Sequence, residues 1–229
     1  MNNDDFFNHL SEFALKYNFK IHQEQIFRQA LTHPSYANEN EGEDYERLEF
    51  LGDSILDFLV SEYLYQNFKL AEGDMTKIRA KFVCTTANAE YSRELGLPSL
   101  ILLGHGAREH NESTHAVLAD VFESFLGALY VDQGLDVVRA LIQKIVLPKI
   151  NLQKIDFFID YKSKLQEYIQ AESRQGVNYI LIEEVGPPHD KTFTTCVNHD
   201  GVILGSGQGK SKKESEQNAA KDALQKVAR

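Results

Sequence analysis

The chain has 229 residues, enough for two small domains, and 42% of them are hydrophobic, as is usual for a globular protein. No apolar run is long enough for a membrane span, and residues 1–5 are acidic where a secretory signal would be basic. The net charge of −10 argues against binding of nucleic acid by the whole surface. The acidity belongs to residues 1–155, which hold 14 lysines and arginines against 23 acids, whereas residues 156–229 hold 10 against 11.

The first elements are two amphipathic helices, predicted over residues 6–17 and 23–31. A turn is expected next, because Pro34 disfavours helix in the residue before it. His33 in this turn is either a general base or, as we favour, a packed and hydrogen-bonded turn histidine. Residues 38–44 are predicted to form an acidic loop.

A central helix is predicted to run to about residue 68. Its buried stripe is formed by apolar residues at three- to four-residue spacing, Leu48, Leu51, Ile55, Phe58 and Leu59. Beside this stripe Glu46, Glu49 and Asp53 stack on one side of the helix. Like charges at this spacing cost a helix about 0.2–0.5 kcal/mol per pair. The acids therefore form either a solvated face or a site for a hard divalent cation, which prefers oxygen ligands.

The next predicted helix covers residues 77–85. Glu72 and Asp74 belong to the first turn that opens this helix, where the helix macrodipole favours acids. Its basic residues are candidates for phosphate contact, although any exposed helix carries such charges. A further helix is closed by residues 95–98, and residues 104–114 are predicted to form a polar loop.

A second acidic pair, Asp120 and Glu123, lies in residues 118–129, a segment so apolar that its helix is expected to be buried almost all round. Ionised carboxylates are rarely buried unless they are paired or bound to metal. If Gly52 and Gly127 allow this helix to approach the central one closely, the acids of both helices converge. That arrangement is the ligand set for one or two magnesium ions. A last helix is predicted over residues 136–147.

Residues 46–56, ERLEFLGDSIL, resemble the signature segment of the ribonuclease III family, and residues 118–128, LADVFESFLGA, resemble its second metal-ligand segment. The resemblance implies an all-α N-terminal endonuclease domain that cuts double-stranded RNA as a homodimer. It implies Mg²⁺ as cofactor, with Mn²⁺ as a possible substitute, and products with 5′-phosphate and 3′-hydroxyl ends and short 3′ overhangs. The expected metal ligands are Glu49, Asp53, Asp120 and Glu123.

The resemblance also suggests roles for other residues. Glu46 is expected to act with Asp53 and Glu123 in catalysis, as an outer or substrate-side acid. Glu72 matches an acidic position near the scissile strand. Phe50 is apolar but points away from the buried stripe, so it fits either a contact with the partner subunit or a cavity of its own domain. Two departures from the family are Tyr45, where asparagine is usual, and the scarcity of basic residues at 104–114.

The pattern changes after residue 150. We predict a catalytic domain at residues 1–150, a linker at 151–159 and a second domain at 160–229. The second domain is predicted as a small α+β unit in the order α-β-β-β-α, with helices over 162–171 and 212–228 and strands over 179–185, 192–197 and 202–205. Asp200-Gly201 is a strong hairpin signal between the last two strands.

The final helix starts with Lys210, Lys212 and Lys213, which oppose the macrodipole but suit a phosphate, while Ser211 and Glu214 form a capping box. Residues 205–213, GSGQGKSKK, resemble the basic signature of the double-stranded RNA-binding domain. That resemblance implies contacts of Gln166, Glu167 and His189 with 2′-hydroxyls and of the lysines with phosphates. Each of these residues also has a plainer interpretation as a solvated surface residue.

Together these observations predict a double-stranded RNA endoribonuclease with a two-metal site, acting in the processing of rRNA and mRNA in the cytoplasm. Two alternatives stay open, a non-catalytic RNA-binding protein and a metal-dependent phosphohydrolase of small substrates. Cys84 and Cys196 fall in different predicted domains, so no disulfide is expected and a reducing compartment is favoured.

Overall fold

The computed structural model describes residues 3–17, 19–109, 114–150, 159–172 and 175–227. The chain divides into two compact units, residues 1–158 and 159–229, and each is described by itself. Of the predicted linker, residues 151–158 lie outside the described residues. No helix within the described ranges is long and apolar enough to cross a membrane. Both cysteines are free thiols.

The first unit is helical, as predicted. Its described residues form nine α-helices: α1 (Asn3–Tyr17), α2 (Glu24–Ala30), α3 (Pro34–Asn40), α4 (Glu46–Asn67), α5 (Glu72–Phe82), α6 (Thr85–Leu95), α7 (His105–Glu109), α8 (His115–Gln133) and α9 (Leu135–Ile145). Helix α8 is the centre of this unit. It packs against α2, α4, α6 and α9, and its residues from 117 to 129 are buried except at Asp120 and Glu123.

Aromatic side chains fill the core beside α8. The ring of Phe125 contacts the rings of Phe13, Phe19 and Phe27, with centroids 5.3–6.1 Å apart. Edge-to-face and tilted pairs of this kind add to the free energy of burial. They fix α8 against the N-terminal helices and so set the face of α8 that is turned toward α4.

Three predictions for this unit were wrong in detail. Helix α3 occupies part of the predicted turn and loop, because Pro34 stands at the first helical position, where its missing N–H costs nothing. Helix α7 lies in the predicted loop at residues 104–114. Phe58 is 51% exposed rather than part of the buried stripe. The buried face of α4 includes Gly52, which the prediction did not count as apolar, and so lies further around the helix than predicted.

The second unit confirms the predicted α-β-β-β-α order. It consists of α10 (Tyr161–Glu172), β1 (Asn178–Val185), β2 (Thr192–His199), β3 (Val202–Gly209) and α11 (Lys212–Val227). The three strands are antiparallel in the order β1-β2-β3. Asp200 and Gly201 both have positive φ, 50° and 83°, as a type I′ hairpin turn requires. The core contains Leu165 and Ile169 of α10, Val197 of β2 and Ala219, Ala220 and Ala223 of α11.

Strand β3 extends four residues beyond the predicted end at residue 205. Gly205, Gly207 and Gly209 alternate along it on the side facing α11. A Cβ at Gly207 would lie 2.2 Å from the backbone nitrogen of Ala219. These glycines therefore let the backbone of α11 lie directly on β3. For this reason the glycine-rich residues 205–209 form regular strand.

Candidate functional site

The acidic residues of α4 and α8 meet where the two helix backbones touch. A Cβ at Gly52 would lie 1.7 Å from the carbonyl oxygen of Glu123, and one at Gly127 would lie 2.2 Å from that of Leu48. The approach predicted for these glycines is therefore confirmed. Because Asp53 follows Gly52 and Glu49 follows Leu48, the contact places the acids of α4 beside those of α8.

The carboxylates of α4 and α8 lie close enough for their charges to raise the pKa values of Glu123 and Glu49. Burial raises the pKa of Glu123 to about 8, and the charges of Asp53, Glu49 and Asp120 add to the effect, which a hydrogen bond from Asn88 opposes. Burial likewise raises the pKa of Glu49 to about 7, with further contributions from the charges of Asp120, Glu46 and Asp53. A cation placed among these groups would favour their ionised forms.

Asp120 is half-buried and is held by Tyr45, the residue immediately before α4. The Tyr45 hydroxyl donates to Oδ2 of Asp120 at 3.2 Å. Burial, followed by the charge of Asp120, raises the pKa of Tyr45 far above its usual value, so the hydroxyl keeps its proton and acts as a donor. Burial raises the pKa of Asp120, and the hydrogen bond from Tyr45 and the charge of His33 lower it.

Glu123 is held in a similar way by Asn88 of α6. The Asn88 side chain is fully buried, and its Nδ2 donates to Oε1 of Glu123 at 2.5 Å. Sequence reasoning missed this residue. The available signal was a polar residue on the buried stripe of a short helix, since Asn88 stands at helical spacing from Tyr91 and Leu95, both of which are buried.

The donor set suits a hard divalent cation, since it consists of carboxylate oxygens partly withdrawn from water. The described residues nevertheless contain no group of three or more His, Cys, Asp or Glu side chains already arranged to hold a metal ion. Geometry and electrostatics thus bring the four acids into one neighbourhood, and their role as metal ligands stays a prediction.

Other predicted residues lie around this neighbourhood. Asp53 and Glu46 are exposed on α4. The part of the Asp53 carboxyl that is withdrawn from water, and then the charge of Asp57, raise the pKa of Asp53. Phe50 is 78% exposed, so it does not fill a cavity of its own domain. Glu72 is exposed on the first turn of α5 and accepts a hydrogen bond from Thr76 at 3.0 Å.

His33 has the structural role that we favoured over that of a general base. Its Nδ1 accepts from the backbone N–H of Ser35 at 3.1 Å and so caps α3. Its ring packs edge-on against Tyr45, with centroids 5.8 Å apart. His33 thereby supports the tyrosine that holds Asp120.

In the second unit, the start of α11 is linked to the loop between β1 and β2. Lys210 Nζ contacts Oδ1 of Asp190 at 2.8 Å, and both side chains are about two-thirds exposed. His189 precedes Asp190 in this loop. The capping box differs in detail from the prediction: Ser211 Oγ accepts from the N–H of Glu214 at 3.1 Å, but the Glu214 carboxylate accepts from the N–H of Lys210 rather than of Ser211.

The remaining predicted RNA contacts are on the surface of this unit. Lys212, Lys213, His189 and Glu167 are exposed, as binding of RNA would require. Gln166 is partly buried, and its Oε1 accepts from the backbone N–H of Val177 at 3.3 Å. Gln166 therefore has a structural contact in addition to any contact with RNA.

Two family profiles match the chain, one described as Ribonuclease-III-like over residues 23–150 and one as Double-stranded RNA binding motif over residues 161–227. A protein named Ribonuclease 3 from Bacillus cytotoxicus is 46% identical over 220 residues, which cover 94% of this chain and 90% of that protein. A Ribonuclease 3 from Bacillus cereus is 45% identical with the same coverage.

Solved structures give the same result for the first unit. A crystal structure of the nuclease domain of ribonuclease III from Campylobacter jejuni matches with a TM-score of 0.56 and 28% identity, covering 66% of this chain and 97% of that one. A second structure of that domain, whose title refers to a region involved in dimer formation, matches with a TM-score of 0.57 and 28% identity. It covers 61% of this chain and 96% of the other.

Proposed function

The chain belongs to the ribonuclease III family, and from this premise we propose that it is an endoribonuclease that hydrolyses phosphodiester bonds of double-stranded RNA. The observation that carries the proposal is the backbone contact between α4 and α8, which gathers Glu49, Asp53, Asp120 and Glu123 in a protein that also contains a double-stranded RNA-binding unit. The family is metal-dependent, and Mg²⁺, replaceable by Mn²⁺, is the cofactor we assign.

Glu49, Asp53, Asp120 and Glu123 are the proposed ligands. These carboxylates would hold two divalent ions, which would supply activation of the attacking water and stabilisation of the leaving oxygen. Asp53 and Glu123 are the acids on which cleavage depends most strongly. Glu46, exposed at the start of α4, is proposed to act from the outer or substrate side. The proposed products have 5′-phosphate and 3′-hydroxyl ends with short 3′ overhangs.

The RNA-binding part is proposed to be residues 160–229, joined through residues 151–159 to a catalytic domain at 1–150. Lys210, Lys212 and Lys213 are proposed to contact phosphates, because the N–H groups and dipole at the start of α11 favour anions. Gln166, Glu167 and His189 are proposed to contact 2′-hydroxyls. Their exposure, complete or partial, supports these roles. Glu72 on α5 is proposed as a further contact, near the scissile strand.

We also propose that the chain forms a homodimer through its catalytic domain. Phe50 is 78% exposed on α4, and a large apolar side chain so exposed next to the site suits burial against a second copy. A structure of the related Campylobacter jejuni domain is described as having a region involved in dimer formation. On the basis of its bacterial relatives, a cytoplasmic location and a role in rRNA and mRNA processing are proposed.

The test is incubation of the full-length protein with an end-labelled RNA duplex, with Mg²⁺ and with EDTA. We expect cleavage of both strands only with Mg²⁺, and single-stranded RNA of the same sequence serves as the control. Binding without any magnesium-dependent cleavage would instead favour an RNA-binding protein without activity. Unchanged cleavage after deletion of residues 159–229 would favour a phosphohydrolase that does not need the RNA-binding unit.

A further inference from the structure

The burial of the polar side chain of Asn88 is not explained by stability alone. It is fully buried on α6, yet its Oδ1 has no hydrogen-bond partner within the described residues. A buried acceptor without a partner costs free energy, and an apolar residue of similar volume would avoid that cost.

The orientation of the Asn88 amide is fixed by the backbone. Nδ2 donates one proton to the carbonyl oxygen of Val83 at 3.1 Å, at the junction between α5 and α6. A carbonyl oxygen can only accept, so the nitrogen must face Val83 and the amide cannot turn over. The second proton of the same nitrogen is directed at Oε1 of Glu123.

We propose that Asn88 is a positioning residue for the metal site, an inference that rests on the proposed function. By donating to Oε1, Asn88 fixes the carboxylate of Glu123 and leaves Oε2 as the oxygen that is free to bind a cation. Glu123 is then a one-oxygen ligand whose direction is set by the α5–α6 junction. Hydrogen-bonded partners of metal ligands usually change metal affinity or activity about 10- to 100-fold when they are removed.

Two substitutions separate this role from packing. Asn88→Leu keeps the number and the branching of the side-chain heavy atoms, and Asn88→Ala removes three of them, but both remove the donor. If the donor matters, both variants weaken binding of Mn²⁺ to the full-length protein by about tenfold or more. If only packing matters, Asn88→Ala is affected and Asn88→Leu is not.

The matched control is Ser92→Ala. Ser92 is also fully buried, lies one turn further along α6 and has an Oγ without a partner in the described part of the chain. Its removal is expected to leave Mn²⁺ binding unchanged. Affinity for an RNA duplex in EDTA is expected to be the same in all four proteins, because Asn88 does not belong to the RNA-binding unit.

Mn²⁺ binding is measured by titration calorimetry, and the Mg²⁺ concentration that gives half-maximal cleavage of a labelled duplex is measured in parallel. We expect the Mn²⁺ dissociation constant and the half-maximal Mg²⁺ concentration to rise about tenfold in the two Asn88 variants while melting temperatures stay near that of the wild type. Wild-type values in both assays for either folded Asn88 variant would overturn the proposal. A wild-type protein that binds Mn²⁺ but does not cleave RNA would instead contradict the proposed function and leave the Asn88 test valid.

Discussion

The two units each gather like charges, but they do so in different surroundings. On α4 and α8, carboxylates lie partly buried around a backbone contact, and the pKa values of Glu49 and Glu123 are raised to about 7 and 8. At the start of α11, Lys210, Lys212 and Lys213 are exposed, and Lys210 forms an ion pair with the exposed Asp190.

This difference shows how the surroundings of a charge cluster select its ligand. Partly buried carboxylates are poorly solvated, so a small ion that touches several oxygens gains much more there than it would in water. Exposed lysines gain little from any single partner and suit an extended polyanion, whose binding weakens as salt is added. The first cluster therefore suits catalysis by a bound ion, and the second suits delivery of the substrate.

The largest effect is expected from Glu123→Gln, which removes one charge from the buried cluster and keeps its shape. Cleavage of a labelled RNA duplex at saturating Mg²⁺ should fall by about 100-fold or more, because the amide is a much weaker ligand for a hard cation. Duplex binding in EDTA should be unchanged, since the lysine cluster is intact. The control is Glu90→Gln, the same change at an exposed position of α6. Equal cleavage rates in the two variants would remove Glu123 from the ligands.

The next effect concerns the contact that brings the acids together. In Gly52→Ala the new Cβ would overlap the carbonyl of Glu123, so we expect the first unit to lose about 3 kcal/mol or more of stability, at the upper end of the cost of overpacking. Thermal unfolding followed by circular dichroism measures this loss. Gly73→Ala is the matched control, because nothing lies within 4 Å of a Cβ there. An unchanged melting temperature in Gly52→Ala would contradict the close approach.

A pH series tests whether folding raises the pKa values of the clustered carboxyl groups. The folded state raises the pKa of Glu49 and Glu123 from 4.5 to about 7 and 8. Stability from these groups is therefore full below pH 4.5 and is lost as the pH rises to about 8. In EDTA, the melting temperature of a Glu49→Gln/Glu123→Gln variant should exceed that of the wild type by a margin that grows over this range. A margin independent of pH would show that the two carboxylates are not strained.

The smallest effect is expected at the exposed cluster. Replacing Lys212 and Lys213 by alanine should weaken binding to an RNA duplex and reduce the slope of log affinity against log salt by about 2, one for each lost phosphate contact. Affinity is measured by fluorescence anisotropy at several salt concentrations. Lys226→Ala, near the other end of α11, is the control and should keep the slope. An unchanged slope in the double variant would exclude these lysines from the phosphate contacts.

Regular residue spacing is what made parts of the carboxylate site predictable from the sequence. The stripe of α4, apart from Phe58, and the acids beside it follow from a period of 3.6 residues, and the apolar run of α8 predicts its burial. Asn88 could not be predicted in the same way, because its partners Val83 and Glu123 lie on other elements and only folding brings them together.

Other features were missed for local reasons. Helix α3 begins at Pro34, in a segment predicted as a turn because Pro34 disfavours helix in the preceding residue, although proline is favoured at the first helical position. The extension of β3 through Gly209 depends on the approach of α11 to its glycines, a tertiary contact that has no local signature. The pairing of Lys210 with Asp190 depends on the fold of the second unit for the same reason.

We propose that carboxylates from both α4 and α8 hold one cation site. It is tested most directly by anomalous diffraction from crystals of the full-length protein soaked in Mn²⁺, because the signal locates the metal independently of any activity. We expect a Mn²⁺ peak within coordination distance of carboxylate oxygens of Glu49 or Asp53 on α4 and of Asp120 or Glu123 on α8. A peak bound only by residues outside this group, or by acids of one helix alone, would contradict it.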